Sequence, residues 1–516
     1  MMKKVLVAIM VILILPFISL LAFAESLEET VEASYLQSVI NAEVAVEIKK
    51  SAIFDASQSF IPTIGDELSY EWDFGDGNKN QGVEVLHAYK EPGYYDITLT
   101  INNGVEESVE LIQVFAYVKQ VVLITDETEA QERIERIKES AENEGIYLKI
   151  IESFGSSTEF ISEEVLTKKL TESSNNIQKA KQVIVWTEEN AGLNALSRFI
   201  QNQGPSSINL NQKTIVVIEN NINASTISRT QRQFEVLNPQ ALVMSKESAI
   251  DDTIESEDFD DLMNLLEERG REYEVINSKT GKLRPWNFMS YFVNSLVIYG
   301  IPDNTIALLL LLPVIATVVA FMRQVIGVTT FGIYTPSIIT LSFLVIGMYA
   351  GLLTLLAAIA VGTLLKPLLK KVGMLFIPKM AIVITVVSLA LIFIVITSTS
   401  LGLFDAQFLS IAIFPMLILS TLVEKFVSSK GEKSFASATV IMASTVIVAI
   451  VAYFFTGGSI PLGFTTLKFE FIKNLMLAYP EMIFLLLIIN IILGKWTGLR
   501  FLERIRFREV LRHIEE

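Results

Sequence analysis

The chain has 516 residues, no cysteine and two histidines, His87 and His513, far apart in sequence. That length is too great for one core, and the composition excludes disulfides, thiolate zinc sites, cysteine nucleophiles and a His-based triad or multi-histidine metal site within one chain. A hydrophobic fraction of 51% and a mean hydropathy of +0.46 stand beside a formal net charge of −16, so an acidic soluble part must be joined end to end with an apolar one. The acidity also argues against nucleic acid as a partner, because neutralising phosphates needs a basic surface.

In chain order, residues 1–24 read as a secretory signal: Lys3 and Lys4 precede an apolar stretch that contains Pro16, and Ala22-Phe23-Ala24 supplies an A-x-A cleavage site. The alternative is an uncleaved anchor helix; either way the following residues are expected to be exported. Residues 25–118 show short alternating runs, such as Val44-Ala45-Val46-Glu47-Ile48, that predict a small β-sandwich. Its most informative segment is Tyr70-Glu71-Trp72-Asp73-Phe74-Gly75-Asp76-Gly77, with aromatic residues on alternate positions followed by a turn pair. Together with Phe54-Asp55-Ala56-Ser57 and the run from His87-Ala88-Tyr89 to Gly93-Tyr94-Tyr95, this segment resembles the PKD domain family. The resemblance implies an immunoglobulin-like sandwich used for adhesion, spacing or protein contact, and no catalysis. Asp73 and Asp76 read as turn-forming residues or calcium ligands, Trp72 as the core anchor and His87 as a hydrogen-bonded structural residue.

From residue 119 the character changes to apolar strands alternating with helical stretches: strands at 119–125, 147–151, 181–186, 213–218 and 241–244 predict an α/β domain, residues 119–247, with a mainly parallel sheet. A ligand for such a sheet is expected beyond its carboxyl ends, at Thr125-Asp126-Glu127, Thr187-Glu188-Glu189-Asn190 and Glu219-Asn220-Asn221. Asp126-Glu127-Thr128-Glu129 stands where a glycine-rich phosphate loop would be needed, so a nucleotide cofactor is disfavoured. The carboxylates there suit a cation or amine, or complement helix dipoles. No cofactor and no metal is assigned. Residues 248–300 read as an acidic connector leading to an interfacial segment near Tyr291.

Seven apolar stretches follow, near 305–322, 330–348, 350–369, 378–397, 407–423, 436–455 and 478–493, each able to span a bilayer. They predict an all-α seven-helix transmembrane bundle over residues 301–499. With the soluble part outside, the loops facing the cytoplasm carry fourteen basic residues and the opposite loops only Lys468 and Lys473. The expected topology is therefore a multi-pass plasma-membrane protein with extracytoplasmic N-terminal domains and a basic cytoplasmic tail, residues 500–516, that would meet anionic lipid or a partner. Proline inside a spanning helix frees a carbonyl, so Thr335-Pro336 and Phe414-Pro415-Met416 predict kinks, whereas Pro480 is expected to begin its helix.

The stretch from Gly327 to Pro336, together with Phe414-Pro415-Met416 and Glu424, Tyr479-Pro480-Glu481, and Gly494-Lys495-Trp496-Thr497-Gly498-Leu499-Arg500, resembles a prokaryotic seven-transmembrane domain usually fused to an inactive transglutaminase-like domain. The resemblance carries over Arg323, Thr330, Gly332, Pro336, Pro415, Glu424, Pro480, Glu481 and Arg500, read as packing or coupling positions rather than catalytic ones. It also implies, by analogy, an amide-forming ATP-grasp ligase as an inside partner and an envelope protein or peptide outside. A non-enzymatic envelope protein that binds a partner and anchors or signals inward is the expectation; a transporter or channel is the alternative.

Overall fold

A computed structural model of the chain describes residues 36–61, 68–154, 158–203, 208–276, 288–370, 378, 381–390, 392, 435–462, 465–467, 469–496, 498 and 500–506. The expected signal segment, the span near 407–423, Pro415, Glu424 and most of the basic tail lie outside those residues.

The first unit is β-rich. Strands β1 (Ala45–Glu47), β3 (Ser69–Asp73), β4 (Lys79–Gln81), β6 (Gly93–Asn102) and β7 (Glu107–Tyr117) form a sheet in the order β1-β7-β6-β3-β4, opposed by the pair β2 (Ala52–Asp55) and β5 (Glu84–His87). Alternation along β6 sends Ile97, Leu99 and Ile101 into a core with Phe54, Trp72, Phe74 and Tyr89. The Trp72 indole donates to the Gly82 carbonyl at 2.9 Å, so the ring is buried without losing its hydrogen bond. Asp73 and Asp76 accept from the backbone amides of Gly75 and Asn78, and His87 stacks on Phe74 while pairing with Asp76 at 2.9 Å. These are turn and core roles.

Only Val118 separates β7 from β8 (Lys119–Thr125). With β9 (Ile146–Glu152), β10 (Gln182–Trp186), β11 (Thr214–Ile218), β12 (Ala241–Ser245) and β13 (Tyr273–Ile276) it builds a sheet ordered β13-β12-β11-β10-β8-β9, parallel except for β13. Helices α1 (Gln131–Asn143), α6 (Ile250–Glu255) and α7 (Phe259–Glu268) cover one face. Helices α2 (Glu159–Glu172), α3 (Ser174–Lys179), α4 (Ala191–Gln203) and α5 (Ala224–Leu237) cover the other. Strands β8, β10 and β11 are buried along their whole length because both faces are covered, and the polar residues at their starts, Lys119 and Gln182, are hydrogen-bonded. The acidic connector expected from residue 248 onward is corrected here: residues 250–276 supply α6, α7 and the sixth strand. Asp252 is fully buried and paired with Arg269 and Arg271, which is how an acidic stretch enters a core.

The C-terminal part is helical. It comprises α8 (Phe288–Ile298), α9 (Asp303–Phe321) continued by a π-turn (Met322–Ile326), α10 (Tyr334–Ile346), α11 (Met348–Lys370) and α12 (Ala381–Ala390). After α13 (Phe435–Phe455) come the hairpin β14 (Ile460–Leu462) and β15 (Thr465–Leu467), then α14 (Phe471–Ala478), α15 (Ile483–Gly494) and α16 (Phe501–Arg506). Among the described residues three helices are long and apolar enough to cross a bilayer: Asp303–Ile326, Met348–Leu365 and Ser437–Phe455. The pair Phe471–Ala478 and Pro480–Gly494 is apolar enough only when taken together and is bent by 108°, the geometry of a broken span or a re-entrant loop. Helix α10, where a full span was expected, has 13 residues and reaches only about 20 Å. Nor does Pro336 kink it: the residue sits in the first helical turn, where amides lack intrahelical partners in any case. Pro313 does lie in the interior of α9; Thr317 bonds its carbonyl at 2.8 Å and accepts from Asn490 of α15 at 2.7 Å.

Candidate functional site

Helix α2 is buried on two sides. Leu166 and Leu170 pack on the sheet, while Ile161 and Val165 join the core of the bundle with Leu311, Phe343 and Tyr453. The helical layer of the α/β domain thus rests on the membrane helices, and Thr158 donates to the Val345 carbonyl of α10 at 2.7 Å. Gln201 of α4 likewise donates to the Val297 carbonyl of α8 at 2.9 Å.

Between the two parts lies a buried charge cluster. Lys473, on α14, reaches Glu159 at 2.8 Å and Glu189 at 2.5 Å. Glu159 opens α2, and Glu189 lies in the turn from β10 to α4, in left-handed backbone with φ of 52°. That conformation is uncommon for a residue with a side chain, and the turn is held by the Glu188 amide donating to Asp126 at the end of β8. Arg229 of α5 approaches Glu189 at 3.4 Å. Arg232, one turn on, pairs with Asp303 at the start of α9 at 3.3 Å and donates to the Leu477 carbonyl of α14. Glu163 accepts from Asn304 and lies 3.7 Å from Arg198.

The balance of charge sets the protonation states. Five carboxylates, Glu159, Glu163, Glu189, Glu219 and Asp303, share the interior with Arg229, Arg232 and Lys473, and Arg198 stands at the rim. Burial, reinforced by the Glu189 charge, pushes Glu159 up to about 7. Burial and Glu159 push Glu163 up to about 8, and burial raises Glu219 to about 7. For Glu189 burial acts the same way, but Lys473 and Arg229 outweigh it and hold the carboxyl below its ordinary range. Alongside runs a polar seam where α4 and α5 lie parallel: Gln233 donates to Asn194 at 3.0 Å, one turn beyond the Glu189–Arg229 contact. The Asn190 side-chain amide and the hydroxyls of Ser197 and Thr230 are buried on the same faces and make no hydrogen bond to protein, so the seam offers donors and acceptors to water or a small polar group.

The residues singled out from the sequence fall at two other places. Arg323 lies in the π-turn; Gly327, with φ of 93°, packs against the Arg500 side chain, and Thr330 bonds the Gly332 carbonyl at 2.7 Å. These positions lie beyond the far end of α9, whose 19 residues span about 28 Å from Asp303. Pro480, by contrast, sits at the bend before α15, where Glu481 accepts from the Ser290 amide at 2.8 Å and its hydroxyl at 2.9 Å, capping α8. Neither group belongs to the charge cluster. Of the strand-end residues, Asp126, Glu189, Asn190 and Glu219 are brought to it, and Asp126 is raised to about 6 by burial. Sequence reading missed Glu159, Glu163, Arg229, Arg232, Asp303 and the role of Lys473; a lysine and an aspartate at the ends of apolar helices were the available signal. Among the described residues no group of three or more His, Asp or Glu side chains is placed to hold a metal ion.

Residues 263–511 match a family described as seven transmembrane helices usually fused to an inactive transglutaminase, and residues 37–115 match a PKD domain family. Over 70 residues the chain is 36% identical to the collagenase ColA of Clostridium perfringens (strain 13 / Type A), covering 13% of this chain and 6% of that protein. A sialyltransferase from Photobacterium damsela aligns over 51% of this chain and 65% of its own at 10% identity with a TM-score of 0.18, a similarity too slight to bear on fold or function.

Proposed function

We propose a non-enzymatic receptor or scaffold for this multi-pass membrane protein, whose residues 263–511 match that seven-transmembrane family and whose residues 37–115 match a PKD domain family. In this reading the PKD and α/β domains form an exported head that meets an envelope protein or peptide, and the bundle anchors the head and passes its state to the opposite membrane face. The carrying observation is Lys473: a cation from the membrane part, inserted between Glu159 and Glu189 at the carboxyl ends of the strands, where α/β folds bind ligands. A ligand or proton that altered the pairing at Glu189 would act on α14, and through the bend at Pro480 on α15 and the Arg500 region.

Because the chain has no cysteine, a single cysteine introduced at Gly494 carries an environment-sensitive fluorophore without further engineering. In the full chain reconstituted in liposomes, Glu189→Gln is expected to change the emission of that probe. Unchanged emission, with the head still folded, would remove the coupling claim and leave anchoring alone. The bend of 108° also motivates the transport alternative, for which solute flux through the same liposomes is the direct test.

A further inference from the structure

A second site lies on the other side of the head, independent of the reading above. Where the sandwich meets the α/β domain there is a cleft of about 450 Å³ whose lining includes Pro92, Tyr94, Phe115, Glu139, Glu142 and Gly145 and contains no basic side chain. Its walls are fixed by the chain path. With Val118 as the one residue between the two sheets, its amide donates to the Gly145 carbonyl at 2.8 Å. Gly145, with φ of 73°, lets the backbone approach Pro92 so closely that a Cβ there would sit 2.6 Å from the proline Cβ. The Glu43–Lys179 ion pair, at 2.6 Å, ties the same two domains together at another point.

One wall is aromatic. Tyr94 and Phe115 are directly opposed across β6 and β7, their ring centroids 4.8 Å apart, and Tyr147 packs behind Phe115 at 6.3 Å. The other wall is the face of α1, where Glu139 and Glu142 lie three residues apart and so on one side of the helix. Glu142 stands beside Tyr94, whose hydroxyl is pushed up to about 12 by burial and by that carboxylate. Aromatic faces attract cations through their quadrupole, and carboxylates pair with ammonium and guanidinium groups. A volume of about 450 Å³ lies within the range of small-ligand pockets and suits one such group with its alkyl stem. We propose that this cleft binds an organic cation, an alkylammonium or guanidinium group.

The test is calorimetric titration of the full chain in detergent with tetramethylammonium chloride and with an uncharged-terminus Gly-Arg-Gly peptide, against sodium chloride at equal ionic strength. Saturable binding of at least one cation is expected, weakened at least tenfold in Glu139→Gln/Glu142→Gln and in Tyr94→Ala, all substitutions at solvent-facing positions. Tighter binding of the peptide would identify the source as a basic side chain of a protein partner, and tighter binding of tetramethylammonium a small amine; both support the site. No saturable binding of either, or binding unchanged in all the variants, would overturn it.

Discussion

Lys473→Met removes the only cation that touches both Glu159 and Glu189 among the described residues, while keeping most of the alkyl stem. Glu189 then has Arg229 at 3.4 Å as its remaining partner, and Glu159 has lost its ion pair. Deleting one member of a buried ion pair costs about 3–5 kcal/mol, because the stranded charge must be protonated or hydrated. The cost falls on the docked state of the head, so the opening constant of the interface should rise about 10²–10⁴-fold. Hydrogen exchange of the full chain in detergent reads this directly: amides at the start of α2 and α4 should exchange faster by about two to four decades, while the sandwich strands keep their protection. Adding Glu159→Gln and Glu189→Gln to the lysine variant removes the stranded charges and should recover most of the loss. Exchange at α2 and α4 unchanged by Lys473→Met, or a triple variant no better than the single one, would refute the reasoning.

The raised carboxyls give docking a pH dependence of definite sign. Glu159, Glu163 and Glu219 hold protons in the folded state up to about 7, 8 and 7, whereas the unfolded chain releases them near the ordinary value of 4.5. Interface protection should therefore fall as pH rises from about 5 to 8, with Glu163→Gln flattening the profile; protection that rises over this window would contradict the assignment. Below the ordinary carboxylate range the depressed Glu189 acts oppositely, and protection should fall again. Gly145→Val adds a Cβ where 2.6 Å is available, in left-handed backbone, and should cost about 1–3 kcal/mol, read as loosening between sandwich and α/β domain by limited proteolysis. Trp72→Ala empties the centre of the sandwich and should cost about 3–5 kcal/mol in denaturant unfolding of that domain, with α/β protection retained.

Much of the fold was legible because its signals are local. Strands β8, β10 and β11 carry continuous apolar runs, Val121 to Ile124, Val183 to Trp186 and Ile215 to Ile218, and the sandwich announces itself through alternation and the aromatic spacing around Trp72. The helical, apolar character of the C-terminal part follows from composition alone. What escaped depends on distant pairing. Asp252 reads as connector chemistry until Arg269 and Arg271 neutralise it, and Lys473 reads as a loop charge until the fold brings it to Glu189, 284 residues away in sequence. Pro336 looked like a kink because a full span was expected around it; the helix starts at Tyr334, only two residues before it. The strand ends were expected to face a ligand; in the fold Glu189 instead meets Lys473, and that cover comes from the membrane part, which no local pattern announces.

The central claim is that the head is seated on the bundle through Lys473, and a distance measurement tests it most directly. Nitroxide labels on cysteines introduced at Glu135 of α1 and Tyr334 of α10 report the separation of head and bundle in the reconstituted full chain by pulsed electron resonance. A single narrow distance that broadens in Lys473→Met is the predicted result. A broad distribution in the unmodified interface, or a narrow one indifferent to Lys473, would contradict it.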